Sequence, residues 1–172
     1  MKKVHFLAMM IMILCGTQTL LAQKDKSKRP SPPDQVSNIV EGTTITIDYS
    51  QPSLKGRDLN SLAPIGKVWR TGANEASWIE VSADVMIEGE KLPKGKYGFF
   101  TINNEDEWTL IFNEVWDQWG AYKYDSSKDA LRVIVSPKSS EEFTEKFSIS
   151  IGDNGLVQLL WGNLAVPFQI SM

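Results

Sequence analysis

The sequence predicts an all-β protein: an antiparallel β-sandwich of about eight to ten strands in a single domain. Two observations carry that expectation. From Val36 onward, short segments alternate apolar and polar residues with a period of two, the spacing of a strand with one buried face. Turn residues punctuate those segments, and no long stretch shows a helical period.

Three segments follow along the chain. Residues 1–22 read as a signal peptide. Lys2 and Lys3 open it, an apolar run over 4–14 is broken only by His5, and small Ala22 ends a cleavage site. The run is about half of the ~20 residues that span a bilayer, so no integral membrane segment is expected after cleavage. Cys15 raises a lipoprotein start, but Leu14 before it is larger than that signal prefers. Export to the periplasm or beyond the cell is the expectation. Residues 23–35, around "QKDKSKRPSPPD", read as a flexible Lys/Pro-rich tether that buries no apolar surface. Residues 36–172 form the sandwich domain.

Within that domain "TTITIDYS" puts Ile45 and Ile47 on one face, and "SWIEVS" sets Ile79 and Val81 against Trp78 and Glu80. A short strand at "VMI", a turn near Gly89, a Pro93-to-Gly95 turn and a strand from Lys96 follow. "EWTLIFN" alternates Trp108, Leu110 and Phe112 against Thr109 and Ile111. "ALRVIVS", "KFSISIG", "LVQLLWG" and "AVPFQIS" complete the set. Turns fall at Asn103-Asn104, Ser136-Pro137 and Asp153-Asn154-Gly155. Residues 141–146 and 59–62 are expected to form helical turns.

Cleavage removes the only Cys and the only His. Disulfides, Ser-His-Asp and Cys-His hydrolysis, and zinc or copper sites built on those residues are then excluded. Of 18 basic residues, loss of Lys2 and Lys3 leaves 16 against 21 acids, a net charge of −5, which argues against nucleic acid as a partner. No phosphate-binding loop or dinucleotide fingerprint is present, so no cofactor is expected.

Two constellations remain. "GKVWRTGANEAS" (66–77) sets Trp69, Arg70, Asn74 and Glu75 around Gly72. Arg70 is placed to pair with Glu75 or with Asp48. The stretch is either a polar pocket floored by Trp69 or a knot that satisfies itself where a long loop crosses the sandwich. "VWDQWGAYKYDSSKD" (115–129) carries Trp116, Trp119, Tyr122 and Tyr124 among amides and carboxylates, a mixture that suits sugars. The alternative is that these aromatics plug an open end of the sandwich. Asp48, Glu75, Glu80, Asp117 and Asp125 are candidates for paired carboxylates. Asp125 with Asp129, and the turn at Asp153, are oxygen-rich but do not match a calcium loop.

The phrases "DYSQPSLKGR" (48–57), "GKVWRTGANEAS", "LPKGKYGFFTI" (92–102), "WTLIFN" (108–113), "WGAYKYD" (119–125) and "LRVIV" (131–135) resemble the exported bacterial proteins grouped as DUF2911. That resemblance covers nearly the whole mature chain. It implies export, usually in Gram-negative bacteria, and one compact domain, and it carries over no catalytic residue. It marks Asp48, Tyr49, Arg57, Trp69, Arg70, Asn74 and Glu75 as positions to watch. The functional expectation is a non-catalytic envelope binding module for glycan or another polymer. The alternatives are a carboxylate-dependent hydrolase and a structural, partner-binding envelope protein.

Overall fold

The computed structural model describes residues 25–172. The expected signal peptide, with Cys15 and His5, and the start of the expected tether lie outside them. No helix among the described residues is long and apolar enough to cross a membrane.

Alternation decides the strands. β1 (Pro33–Val40) and β2 (Thr43–Ser50) form a hairpin through Glu41 and Gly42, whose φ values of 47° and 83° suit a tight two-residue turn. β2 buries Ile45, Ile47 and Tyr49 and turns Thr44, Thr46 and Asp48 the other way. β3 (Val68–Trp69) and β4 (Ser77–Val81) follow, then the small hairpin of β5 (Val85–Ile87) and β6 (Glu90–Leu92). β7 (Gly95–Asn103), β8 (Trp108–Asn113) and β9 (Asp129–Val135) form a meander. β10 (Lys138–Ile151) and β11 (Leu156–Ser171) close the chain as a long hairpin.

The strands make two antiparallel sheets. The first runs β1-β2-β4-β7-β8-β9, with β3 also on β7; the second runs β10-β11-β5-β6. Their facing sides hold the main core, with Phe99, Leu110 and Phe112 of the first sheet and Ile87, Val157 and Phe168 of the second fully covered. The expected sandwich is therefore the observed one. Among the described residues it has eleven strands, one above the expected range, and two-residue β3 is too short to show a period.

Three local expectations change. Residues 141–146 lie within β10, an extended edge strand, rather than in a helical turn. "LVQLLWG" and "AVPFQIS" are one strand, β11, which runs on past Gly162 at φ 62°. The tether is shorter than expected: Pro33 already opens β1, and Lys26–Lys28 form a 3-10 turn whose Ser27 N–H is capped by Asp25. Charge, not apolar burial, brings this stretch onto the domain, as described below.

β3 and β4 share one edge of β7. Trp69 stands opposite Thr101 and Ser77 opposite Phe99. The whole stretch 70–76 therefore leaves the sheet opposite Phe100 alone, as a greatly enlarged bulge. Trp69 fixes its origin. Its ring stacks on Trp161 of β11 at 5.4 Å and 8°, and meets Phe147 of β10 and Trp108 of β8 edge-on at 5.2 and 6.4 Å. These contacts join the two sheets, and aromatic pairs of this kind add to the large area each ring buries.

Trp69→Ala is expected to cost about 3–5 kcal/mol. Differential scanning calorimetry should then show the midpoint falling by about 6–20 °C for a chain of this length. A fall of a degree or two would mean that Trp69 does not join the sheets.

Candidate functional site

The excursion over 70–76 satisfies its own backbone. The Ser77 N–H donates to Arg70 C=O at 3.2 Å and closes its base. The Ser77 hydroxyl donates to Thr71 C=O at 2.8 Å, and the buried Thr71 hydroxyl to that of Thr101 at 3.2 Å. Thr71 and Asn74 both have positive φ, 51° and 61°. For a fully covered β-branched residue this is a costly geometry, held by the surrounding bonds. At Gly72 a Cβ would lie 2.8 Å from Ser77 Oγ and 3.0 Å from Ser50 O, so nothing larger fits. Asn74 Nδ2 donates to Ser31 C=O, Gly120 N–H to Asn74 C=O, and Ala76 N–H to Gln118 C=O.

These turns send Arg70 and Glu75 into different surroundings. The expected forked pair of Arg70 with Glu75 or Asp48 does not form. Glu75 is held instead by Arg29 Nη1 at 2.6 Å and Lys26 Nζ at 3.2 Å, both from the expected tether. Arg70 faces a second cavity with Arg57.

Glu75 lies on a cavity of about 120 Å³ with Asp48, Asp117, Gln118, Trp78, Trp116 and Lys26. β2 supplies Asp48 from its outward face and β4 supplies Trp78. The segment after β8 supplies Trp116, Asp117 and Gln118, and folds over the outer face of the first sheet. Beneath it Phe100 and Ile111 are fully covered, packed by Ala121 and Tyr124. The aromatic segment thus covers a sheet face instead of plugging an end. Gln118 Nε2 donates to Val115 C=O at 2.9 Å, whereas its Oε1 is buried with no donor among the described residues. Lys96 Nζ sits 3.4 Å from the Trp78 ring centre and 3.9 Å from that of Trp116, a cation held over two indole faces.

The two central carboxyls differ. Burial raises the Asp48 pKa, opposed by the Gln35 amide and the charges of Lys26 and Lys96 and reinforced by nearby Glu75. Burial also pushes Glu75 up, but the Arg29 bond, its own backbone N–H and Lys26 outweigh it and hold its carboxyl below the usual value. Opposite displacements at one cavity give one carboxyl that tends to keep its proton and one that tends to lose it.

The other expected residues divide plainly. Tyr49 lines the cavity, but its hydroxyl donates to Asp34 Oδ2 at 2.8 Å and accepts from Ile149 N–H at 3.0 Å, and burial pushes its pKa up to about 12. It ties β1 and β2 to β10. Tyr124 packs on Phe100, donates to Asp129 at 2.6 Å and accepts from Arg132, with its pKa likewise raised to about 12, first by burial. Trp119 is 55% exposed, bridges to Glu75 through its backbone and receives the Arg29 guanidinium 5.7 Å from its ring centre. Tyr122 is 84% exposed. Asp129 also accepts from Asn113, and Asp125 caps Ser127. Glu80 is exposed on β4 and does not line the cavity.

Lys26, Arg29, Trp78, Lys96 and Gln118 escaped the list of candidates. An outward-facing Trp in an alternating strand was a legible signal for Trp78. Nothing local marked the two tether cations, whose partner is more than forty positions away.

The family model described as "Protein of unknown function (DUF2911)" matches residues 31–170. No curated protein and no solved structure matches the chain.

Carboxyl titration followed by NMR should find Glu75 titrating below, and Asp48 above, the usual values. Glu75 then adds stability above its unfolded pKa, lost as pH falls through its lower folded value; at its exposure this is about 1 kcal/mol or less. Ionising Asp48 works the other way and removes stability as pH rises through its folded value. Arg29→Gln should move Glu75 upward and leave the fold intact. Coincident titrations of the two carboxyls would contradict this description.

Proposed function

The chain belongs to the DUF2911 family, and from that premise we propose that it is an exported, non-catalytic binding module for a neutral glycan or similar polyol. One observation carries the reading. The cavity beside the excursion is rich in acceptors, with the carboxyls of Asp48, Glu75 and Asp117 and the buried Gln118 Oε1, which has no donor among the described residues. A ligand that fits brings donors, as sugar hydroxyls do. A cationic ligand is less suited, because Lys26 and Arg29 already answer Glu75 and Lys96 already occupies the faces of Trp78 and Trp116. The volume admits one edge of a sugar, and exposed Trp119, whose backbone bridges to Glu75 on the cavity, offers a ring to the rest. Export is supported by Lys2, Lys3, the apolar run over 4–14 and Ala22.

A hydrolase reading has one observation in its favour, the opposite pKa displacements of Asp48 and Glu75 at one cavity. Residues 25–172 contain neither His nor Cys, so acid-base work would fall to these carboxyls.

One experiment serves both. Tryptophan fluorescence is titrated with neutral oligosaccharides and peptidoglycan fragments, and the mixtures are then examined for cleavage products. The binding reading expects saturation at or below millimolar ligand, intact oligosaccharide, and an affinity about tenfold weaker in Trp119→Ala, as loss of one stacked ring implies. No binding at millimolar ligand would overturn it. Cleavage abolished by Asp48→Asn would replace it with the hydrolase reading.

A further inference from the structure

We propose a second ligand site on the other flank of the same excursion: a pocket for a small oxyanion group, phosphate or carboxylate, held by Arg57 and Arg70. The proposal is independent of the glycan reading and uses none of its residues.

A cavity of about 200 Å³ lies between the loop after β2 and the start of the excursion. Arg57, Arg70 and Trp161 line it, and no acidic residue does. Neither arginine forms an ion pair among the described residues, in contrast to the two tether cations that reach the excursion. Lys26 and Arg29 both go to Glu75. Arg57 is not idle. Its Nε donates to Leu54 C=O at 2.9 Å and its Nη2 to Ser53 C=O at 2.7 Å. Those bonds fix the guanidinium and leave Nη1 free of any partner among the described residues. Arg70 is more telling. Its Nε is buried with no acceptor among the described residues, and its Nη1 lies beneath Gly120, where a Cβ would come within 2.9 Å of it.

Trp161 also lines the cavity, as it does a neighbouring one beside Asn103 and Glu105. Its indole N–H is buried without an acceptor among the described residues. Of the buried side-chain polar atoms that lack a partner among the described residues, the two donors, Arg70 Nε and Trp161 Nε1, belong to residues that line this cavity, although Trp161 lines a neighbouring one as well. The acceptor, Gln118 Oε1, belongs to the other cavity. A buried donor left unpaired calls for an explanation, and an acceptor bound in this cavity supplies one for Arg70. Two guanidinium groups with no competing carboxylate suit an oxyanion, whose oxygens accept from arginine forks in pairs. Gly72 and Ala73 form the near wall, so the chain itself leaves space there. The cavity exceeds the size of a bare ion, so it admits an anionic group carried on a small body.

The test is calorimetric titration of the purified chain at constant ionic strength. The probes are inorganic phosphate, glucuronate as the carboxylate arm, and glucose as the neutral control. Saturable binding of phosphate or glucuronate, with none of glucose at this site, is expected. The stronger arm identifies the anion class. Arg57→Gln and Arg70→Gln should each weaken it about tenfold or more, as loss of one charge-assisted pair implies. Trp161→Phe should weaken it by a smaller factor. Arg57 is exposed, so its variant keeps the fold and remains informative if Arg70→Gln does not. Neutral oligosaccharide binding should persist in Arg57→Gln, and anion binding should persist in Trp119→Ala, so failure of either site is seen separately. No saturable anion binding, or binding unchanged by Arg57→Gln, would overturn the proposal.

Discussion

The architecture around both cavities depends on Trp69. It lies where β3 leaves the edge of β7, and its ring is enclosed by Trp161, Phe147 and Trp108 from both sheets. A large ring fixed between two sheets holds the backbone on either side of it. The chain then has to depart and return within the space opposite Phe100, and it does so through two residues in left-handed conformation. That constraint, more than any polar contact, decides where Arg70 and Glu75 go.

Its electrostatic consequence is a partition. Seven residues of loop, 70–76, separate a cavity of acceptors from a cavity of donors. Arg70 and Glu75 are only five positions apart in sequence, yet they do not pair. Kept apart, each meets separate partners: Glu75 draws the tether cations onto the domain, and Arg70 joins Arg57. The tether therefore docks through charge. Such bonds are weak individually at partial exposure, yet here they are joined by the Asn74 bond to Ser31 and by the Arg29 contact with Trp119.

How much of this was legible in the sequence varies with the physics behind each feature. β2, β4 and β8 could be read because one face is buried and the side chains alternate. Residues 141–146 could not, since β10 is an edge strand there and "EEFTEK" faces solvent on both sides, so burial imposes no period. β3 has two residues and no period at all. The chemistry-bearing stretches 70–76 and 115–125 were both found, because polar residues crowded around Gly72 and aromatics crowded between strands are unusual. Their partners were not. Nothing local shows that Glu75 meets Arg29, or that Phe100 and Ile111 are covered from outside by the aromatic segment. Composition marks residues 23–35 only as a tether and shows nothing of the carboxylate that holds Lys26 and Arg29.

The central claim is that the excursion is a rigid divider and not a mobile loop. Native-state hydrogen exchange on the Ala76, Ser77 and Gly120 amides tests it most directly, since these bond Gln118, Arg70 and Asn74 across the excursion. The account predicts protection comparable to that of the β4 and β7 amides, lost together with theirs on global unfolding. Exchange at the rate of a free loop, while β4 and β7 stay protected, would show that the divider opens by itself and would contradict the account.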